Sequence, residues 1–131
     1  MSMNFNTIMI TGRLGKDPEV RQFGDTTRAK TSVFTHEIRE NSQGAKMEYT
    51  EWHRVIVWSK QAEAVAEHLH QWDDVCISGE LQTLTYDDER GNHHYMPEII
   101  AWDVIFGERL DDMRNNAKQQ AAEMQDNEIP F

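Results

Sequence analysis

Between residues 50 and 70 the chain changes its hydrophobic period, and this change limits the folds open to it. Over residues 50–60 the side chains alternate with period two, as on a β-strand. Trp52, Arg54, Ile56, Trp58 and Lys60 fall on one face, and His53, Val55, Val57 and Ser59 on the other. From residue 61 to 70 the apolar residues Ala62, Val65, Ala66 and Leu69 recur at i, i+3, i+4 and i+7, the stripe of an amphipathic helix. A strand that runs into a helix excludes an all-helical fold and places one helix in the middle of the chain.

Four further strands surround this unit. Residues 7–14 carry Ile8 and Ile10 on one face and Met9 and Thr11 on the other, and stop at Gly15-Lys16-Asp17-Pro18. Residues 28–39 are rich in Thr, Val, Phe and Ile, and a polar hairpin loop over 40–46 joins them to the strand at 50–60. After the helix come a strand over 75–86, a loop over 87–92, and a strand from His94 to Ala101 that extends through Phe106. Pro97 cannot donate to a ladder, which predicts an edge position or a bulge there. Three strands, a helix and two strands is the order of an OB-fold, a mainly β, five-stranded Greek-key barrel with one helix between strands 3 and 4. Residues 1–107 form this domain. From residue 108 the apolar pattern gives way to polar and small residues, so residues 108–131 are expected to be a disordered tail.

The outer face of the 50–60 strand sets two indole rings among cations, an arrangement that suits a single-stranded nucleic acid, whose bases stack on rings while its phosphates seek positive charge. Trp52 and Trp58 are six residues apart, about 20 Å along a strand, so they would hold different bases. Charge argues the other way. The net charge is −10, and residues 1–107 alone hold 10 Lys and Arg against 17 Asp and Glu, a balance of −7. Any basic footprint must therefore be local.

Other chemistry finds little support. Gly12-Arg13-Leu14-Gly15-Lys16-Asp17 has the wrong spacing for a phosphate loop and an acid where Ser or Thr must hold magnesium. His68 and His70 point to different sides of a helix and His93 and His94 diverge on a strand, so no metal site is expected. Asp87, Asp88 and Glu89 read as a solvated turn, and Cys76, the single cysteine, as a small core residue in a chain without an intrachain disulfide. No cofactor and no enzymatic activity are expected. The first residues lack the pattern of a signal peptide and no apolar run is long enough to span a bilayer, so the expectation is a cytoplasmic protein with no membrane partner.

The chain ends Asp126-Asn127-Glu128-Ile129-Pro130-Phe131. Phe131 suits an apolar pocket, Pro130 reduces the entropy lost on docking, and the carboxylates suit Arg or Lys on a partner protein.

Taken together, Thr11-Gly12-Arg13-Leu14-Gly15-Lys16-Asp17-Pro18-Glu19-Val20-Arg21, the run Thr50-Glu51-Trp52-His53-Arg54-Val55 and the terminal Ile129-Pro130-Phe131 resemble the bacterial-type single-stranded DNA-binding proteins, including their plasmid and phage members. The resemblance covers residues 4–107 and the last six. It implies a homotetramer that wraps single-stranded DNA without sequence preference, is associated with the nucleoid, and recruits replication, recombination and repair proteins through its tip. By position it implies base stacking at Trp52, Trp58 and Tyr86, basic contacts at Arg54 and Lys60 and, with them, at Arg21, and a subunit contact at His53. The chain departs from the family pattern at Ile38, which replaces a further stacking ring, and at Gln82, Leu84 and Thr85, where relatives often carry cations. Trp72-Asp73-Asp74 replaces a turn that usually contains glycine, and Asn127 replaces a third acid in the tip. These departures predict weaker binding with a shallower salt dependence. Two alternatives stay open at this stage: an RNA-binding OB-fold protein, and an acidic interaction adaptor with weak nucleic-acid binding.

Overall fold

The computed structural model describes residues 3–126, which hold six strands and two helices: β1 (Ile8–Leu14), β2 (Glu19–Phe23), β3 (Thr26–Glu40), β4 (Lys46–Trp58), α1 (Ser59–His68), β5 (Asp74–Asp87), β6 (His93–Ile105) and α2 (Gly107–Asp126). The sheet order is β1-β5-β6-β4-β3-β2, and β1 also pairs with β3. That last pairing, Arg13 opposite Phe34 and Leu14 opposite Val33, closes β1, β5, β6, β4 and β3 into a five-stranded barrel. The expected mainly β OB-fold is therefore the observed one. Closure needs a close approach at Gly12, where a Cβ would lie 2.2 Å from the carbonyl oxygen of Phe34.

The barrel core follows from alternation. Along β3 the inward residues Thr27, Ala29, Thr31 and Val33 are buried while Arg28, Lys30, Ser32 and Phe34 lie on the opposite face. Val55 and Val57 on β4 and Val75 and Ile77 on β5 complete the interior, and Ala62 and Val65 of α1 close it with Leu69 just past the helix, three of the four stripe residues read from the sequence. Thr31, a buried hydroxyl, donates to the carbonyl of Lys16 at 3.0 Å and so ties the β1–β2 connection to the barrel. Cys76 is buried, as expected. Pro97 pairs with β5 opposite Thr83 and lies outside the β4–β6 pairing at Val55–Ile99 and Ile56–Ile100, so β6 is an edge there, also as expected.

Three expectations need correction. The short strand β2 is additional; it pairs with β3 across a two-residue turn with Gly24 at φ 62°. All five of its residues are exposed, so it has no apolar alternation by which a sequence could reveal it. Second, β4 ends at Trp58 and the chain turns at Ser59, whose φ is 66°. Lys60 therefore belongs to α1 and not to the strand face that carries the tryptophans. Third, the expected disordered tail opens as a helix: α2 runs over Gly107–Asp126. Its first turns are anchored by Leu110, which is 2% exposed, and by Arg114, 3.5 Å from Asp74 on β5. The rest of it is rich in Ala and Gln, which favour helix without any apolar face. Asn127, Glu128, Ile129, Pro130 and Phe131 of the proposed tip lie outside the described residues. Among the described residues no helix is long and apolar enough to cross a membrane.

Candidate nucleic-acid interface

The outward face of β4 meets those of β3 and β2 in a fixed register. Trp58 stands opposite Arg28, which stands opposite Arg21 on β2; Ile56 faces Lys30, Arg54 faces Ser32, and Trp52 faces Phe34. These rows divide the surface into two aromatic groups separated by a polar stretch.

At one end, Trp58 (40% exposed) lies 5.9 Å from the ring of Phe23, with the guanidinium of Arg28 4.7 Å from Phe23 and 6.0 Å from Trp58. Arg21 also approaches this group, 5.9 Å from Phe23. Arg28 Nε is buried and, among the described residues, has no hydrogen-bond partner. Stacking on two rings holds this guanidinium at the surface without a carboxylate to neutralise it.

At the other end, Trp52 is 61% exposed and packs against Phe34, 5.3 Å between centroids. Its indole lies over Gly15, where a Cβ would come within 2.4 Å of Trp52 Cζ3 and 2.8 Å of Ser32 Oγ. Glycine is therefore required beneath the ring. Gly15 donates its N–H to the Ser32 carbonyl at 2.7 Å, which fixes the floor of this site.

Between the two groups lies a concavity of about 270 Å³ lined by Lys16, Lys30, Ser32, Arg54, Ile56 and Glu98, among others. It is the local basic footprint that an acidic chain needs. Arg54, however, is 3.4 Å from Glu98, whose side chain is nearly buried, so much of its charge is balanced within the protein.

Tyr86 lies further away, on the β5–β6 hairpin. The pairings Ile56–Ile100, Ile100–Glu80 and Tyr86–His94 put it on the same outer face by alternation. It is 44% exposed, with one side of its ring stacked on His94 at 5.0 Å and 17°. Asp88 bonds His94 Nε2 at 2.8 Å and accepts the N–H groups of Arg90 and Asn92, while His93 bonds Asp87. The hydrogen bond with His94, foremost, and then the backbone N–H of Asn92 hold the Asp88 carboxyl below its ordinary pKa.

The sequence-predicted residues are thus unequal in placement. Trp52, Arg54 and Trp58 share one strand face, Arg21 joins them through β2, Tyr86 stands on a separate hairpin, and Lys60 leaves the strand. His53 points to the opposite side of β4 from Trp52 and is bonded to Thr35 Oγ1 at 3.2 Å. Ile38 is exposed on the β3–β4 arm opposite Glu48. Sequence reasoning missed Arg28, Lys30 and Phe34. Their signal was the alternation of β3 itself, whose even-numbered positions face outward. It also missed Phe23, for which no strand was expected.

The family model of the single-strand binding protein family matches residues 5–107. The chain belongs to the single-strand binding protein family. Among curated proteins it is similar to a single-stranded DNA-binding protein 1 of Chlorobaculum tepidum, 35% identical over 106 residues that cover 79% of this chain and 65% of that one. The chain thus spans about two thirds of the length of this relative. Among solved structures it is similar to one described as a Plasmodium falciparum SSB complex with ssDNA, with a TM-score of 0.76 and 25% identity, covering 82% of this chain and 99% of the other. The family resemblance read from the sequence is borne out, and the fold agrees with that of a protein solved with single-stranded DNA bound.

Proposed function

We propose that this protein binds single-stranded DNA without sequence preference, protecting and organising it in replication, recombination and repair. The observation that carries the proposal is the order of groups on one barrel face: the Trp58–Phe23 rings with Arg28 and Arg21, the concavity with Lys16 and Lys30, then the Trp52–Phe34 rings. A strand of nucleic acid alternates apolar base planes with phosphates, and this face alternates their complements. Bases stack on Trp58 and Trp52, with Tyr86 extending the path, while Arg21, Arg28, Lys30 and, less strongly, Arg54 meet phosphates. Lys60, at the start of α1, contributes from the margin of this face. The 2′-hydroxyl has no evident partner in the arrangement, and the preference for DNA rests on the relatives.

The further parts of the reading rest on the resemblance. They are assembly into a homotetramer with His53 at a subunit contact, a nucleoid-associated cytoplasmic location, and recruitment of partner proteins by the tip Asp126–Phe131. No catalytic role is proposed.

Tryptophan fluorescence titrated with oligo(dT) at several salt concentrations tests the core of the proposal. With three or four phosphates neutralised, log K is expected to fall with log salt at a slope of about −2 to −3. A competing RNA of equal length should displace the DNA poorly. Emission that stays unquenched at low salt would favour an acidic adaptor instead, and equal competition by RNA would favour an RNA-binding protein.

A further inference from the structure

Trp72 stands in the α1–β5 turn, and it is in the wrong conformation for a tryptophan. Its φ is 77°, in the left-handed region that glycine adopts freely and a bulky side chain does not. The turn is held there by a dense set of bonds. Trp72 N–H donates to the Leu14 carbonyl at 2.9 Å, Leu14 N–H donates to the Asp73 carbonyl at 2.9 Å, and Gln71 N–H donates to Asp17 Oδ1 at 2.7 Å. Gln71 Nε2 also donates to the carbonyl of Gly15, the residue beneath Trp52.

Such strain is ordinarily offset by what the side chain gains, and here burial does not supply the gain. Trp72 is 59% exposed. Its one aromatic contact among the described residues is Phe34, at 5.8 Å and 77°, an edge-to-face meeting that does not seal ring against ring. Phe34 in turn packs on Trp52. Trp52, Phe34 and Trp72 therefore form a continuous run of rings from β4 across β3 to the turn before β5, contiguous with the face assigned above to DNA. Strained backbone that presents an exposed ring beside a binding surface is the pattern of a residue kept for contact with a ligand.

We infer that Trp72 is an additional base-stacking position, and that the DNA path leaves the β3–β4 face over Phe34 to set an unpaired nucleobase on its indole. This inference rests on the proposal that the protein binds single-stranded DNA. The charges around Trp72 define what kind of contact it makes. Asp17 and Asp73 accept hydrogen bonds within the turn, and Asp74 is shared by Arg13 at 3.1 Å and Arg114 at 3.5 Å. Lys16 nearby is 3.5 Å from Glu19. The cations here are paired, and Asp17 and Asp73 add negative charge, which leaves little free positive charge for a phosphate, so the site takes the base and not the backbone. A ring at this position also supplies a stack that Ile38, exposed on the β3–β4 arm, does not.

Because the backbone here favours glycine, Trp72→Gly separates strain from function. The variant should melt at the same temperature as the parent or higher, and should bind oligo(dT) about 5- to 100-fold more weakly, the loss expected for one base–aromatic stack. Its salt slope should match the parent's, since no phosphate contact is removed. Trp72→Phe, which keeps a ring, should retain most of the affinity. Parent-like affinity in Trp72→Gly, alongside weakened binding by Trp58→Ala, would overturn the inference and leave the DNA-binding proposal standing. If neither parent nor variant binds oligo(dT), the proposal of DNA binding itself fails. A fall in melting temperature, or in the mass of the assembly in solution, for Trp72→Gly would assign the indole to packing or to a contact between copies and would equally overturn the inference.

Discussion

The two ends of the outer face of β4 carry the same kind of residue and have different chemistry. Around Trp58 the neighbours are Phe23, Arg28 and Arg21, with the Arg28 guanidinium against both rings and free of any carboxylate partner among the described residues. Around Trp52 the neighbours are Phe34, Gly15 and, beyond, Trp72, and Arg13, opposite Phe34, is already paired with Asp74. On the proposed function, one end holds phosphate beside a base and the other holds bases. The same reading reconciles a net charge of −10 with a polyanionic ligand: positive charge is supplied at one end and by Lys30 in the trough, and the other end relies on stacking, which salt screens little.

This contrast can be broken at each end separately. The largest effect is expected from Gly15→Ala. The new methyl would lie 2.4 Å from Trp52 Cζ3, so the indole must leave its seat. The loss should approach one base stack, about 1–3 kcal/mol in DNA affinity, with about 1–3 kcal/mol of stability lost to overpacking. Oligo(dT) titration and thermal unfolding measure the two, and the salt slope should stay that of the parent. Unchanged affinity would mean that Trp52 is not a base-contacting ring.

A smaller effect of a different kind is expected from Arg28→Met. Removing a buried, unpartnered Nε should leave stability close to that of the parent. The salt slope should become shallower by about 0.7, one phosphate on a single strand. A slope equal to the parent's would erase the proposed difference between the two ends.

The smallest effect concerns the hairpin that carries Tyr86. Asp88 has a depressed pKa in the folded protein, so its contribution to hairpin order is fully present above the ordinary Asp value and is lost as pH falls through the lower, folded value. The side-chain carboxyl signal of Asp88 in nuclear magnetic resonance should therefore hold constant through the ordinary Asp range and shift only in stronger acid. A shift centred on the ordinary Asp pKa would show that the His94–Asp88 bond does not order the hairpin.

Much of the fold could be read along the chain because its determinants are local. The valines at 55 and 57 and the stripe Ala62, Val65, Leu69 announce a strand and a helix by period alone, and each buries the face that the period selects. Strand β2 escaped because it buries nothing, and the first turns of α2 escaped because the residues that anchor them, Leu110 and Arg114, gain their meaning from partners on distant elements. Lys60 was misplaced for a related reason: the turn at Ser59 is set by how α1 must close the barrel, which alternation does not encode.

The candidate site divides along the same line. Trp52, Arg54 and Trp58 share a face because side chains on one strand alternate, a covalent regularity that the amino-acid order determines by itself. That Arg28 packs beside both Phe23 and Trp58, that Glu98 balances Arg54, and that Trp72 meets Phe34 were decided by tertiary structure. Those contacts depend on strand register and on closure of β1 against β3, where residues far apart in sequence come within van der Waals distance. Composition determined that any basic surface had to be small, and only folding decided where it would be.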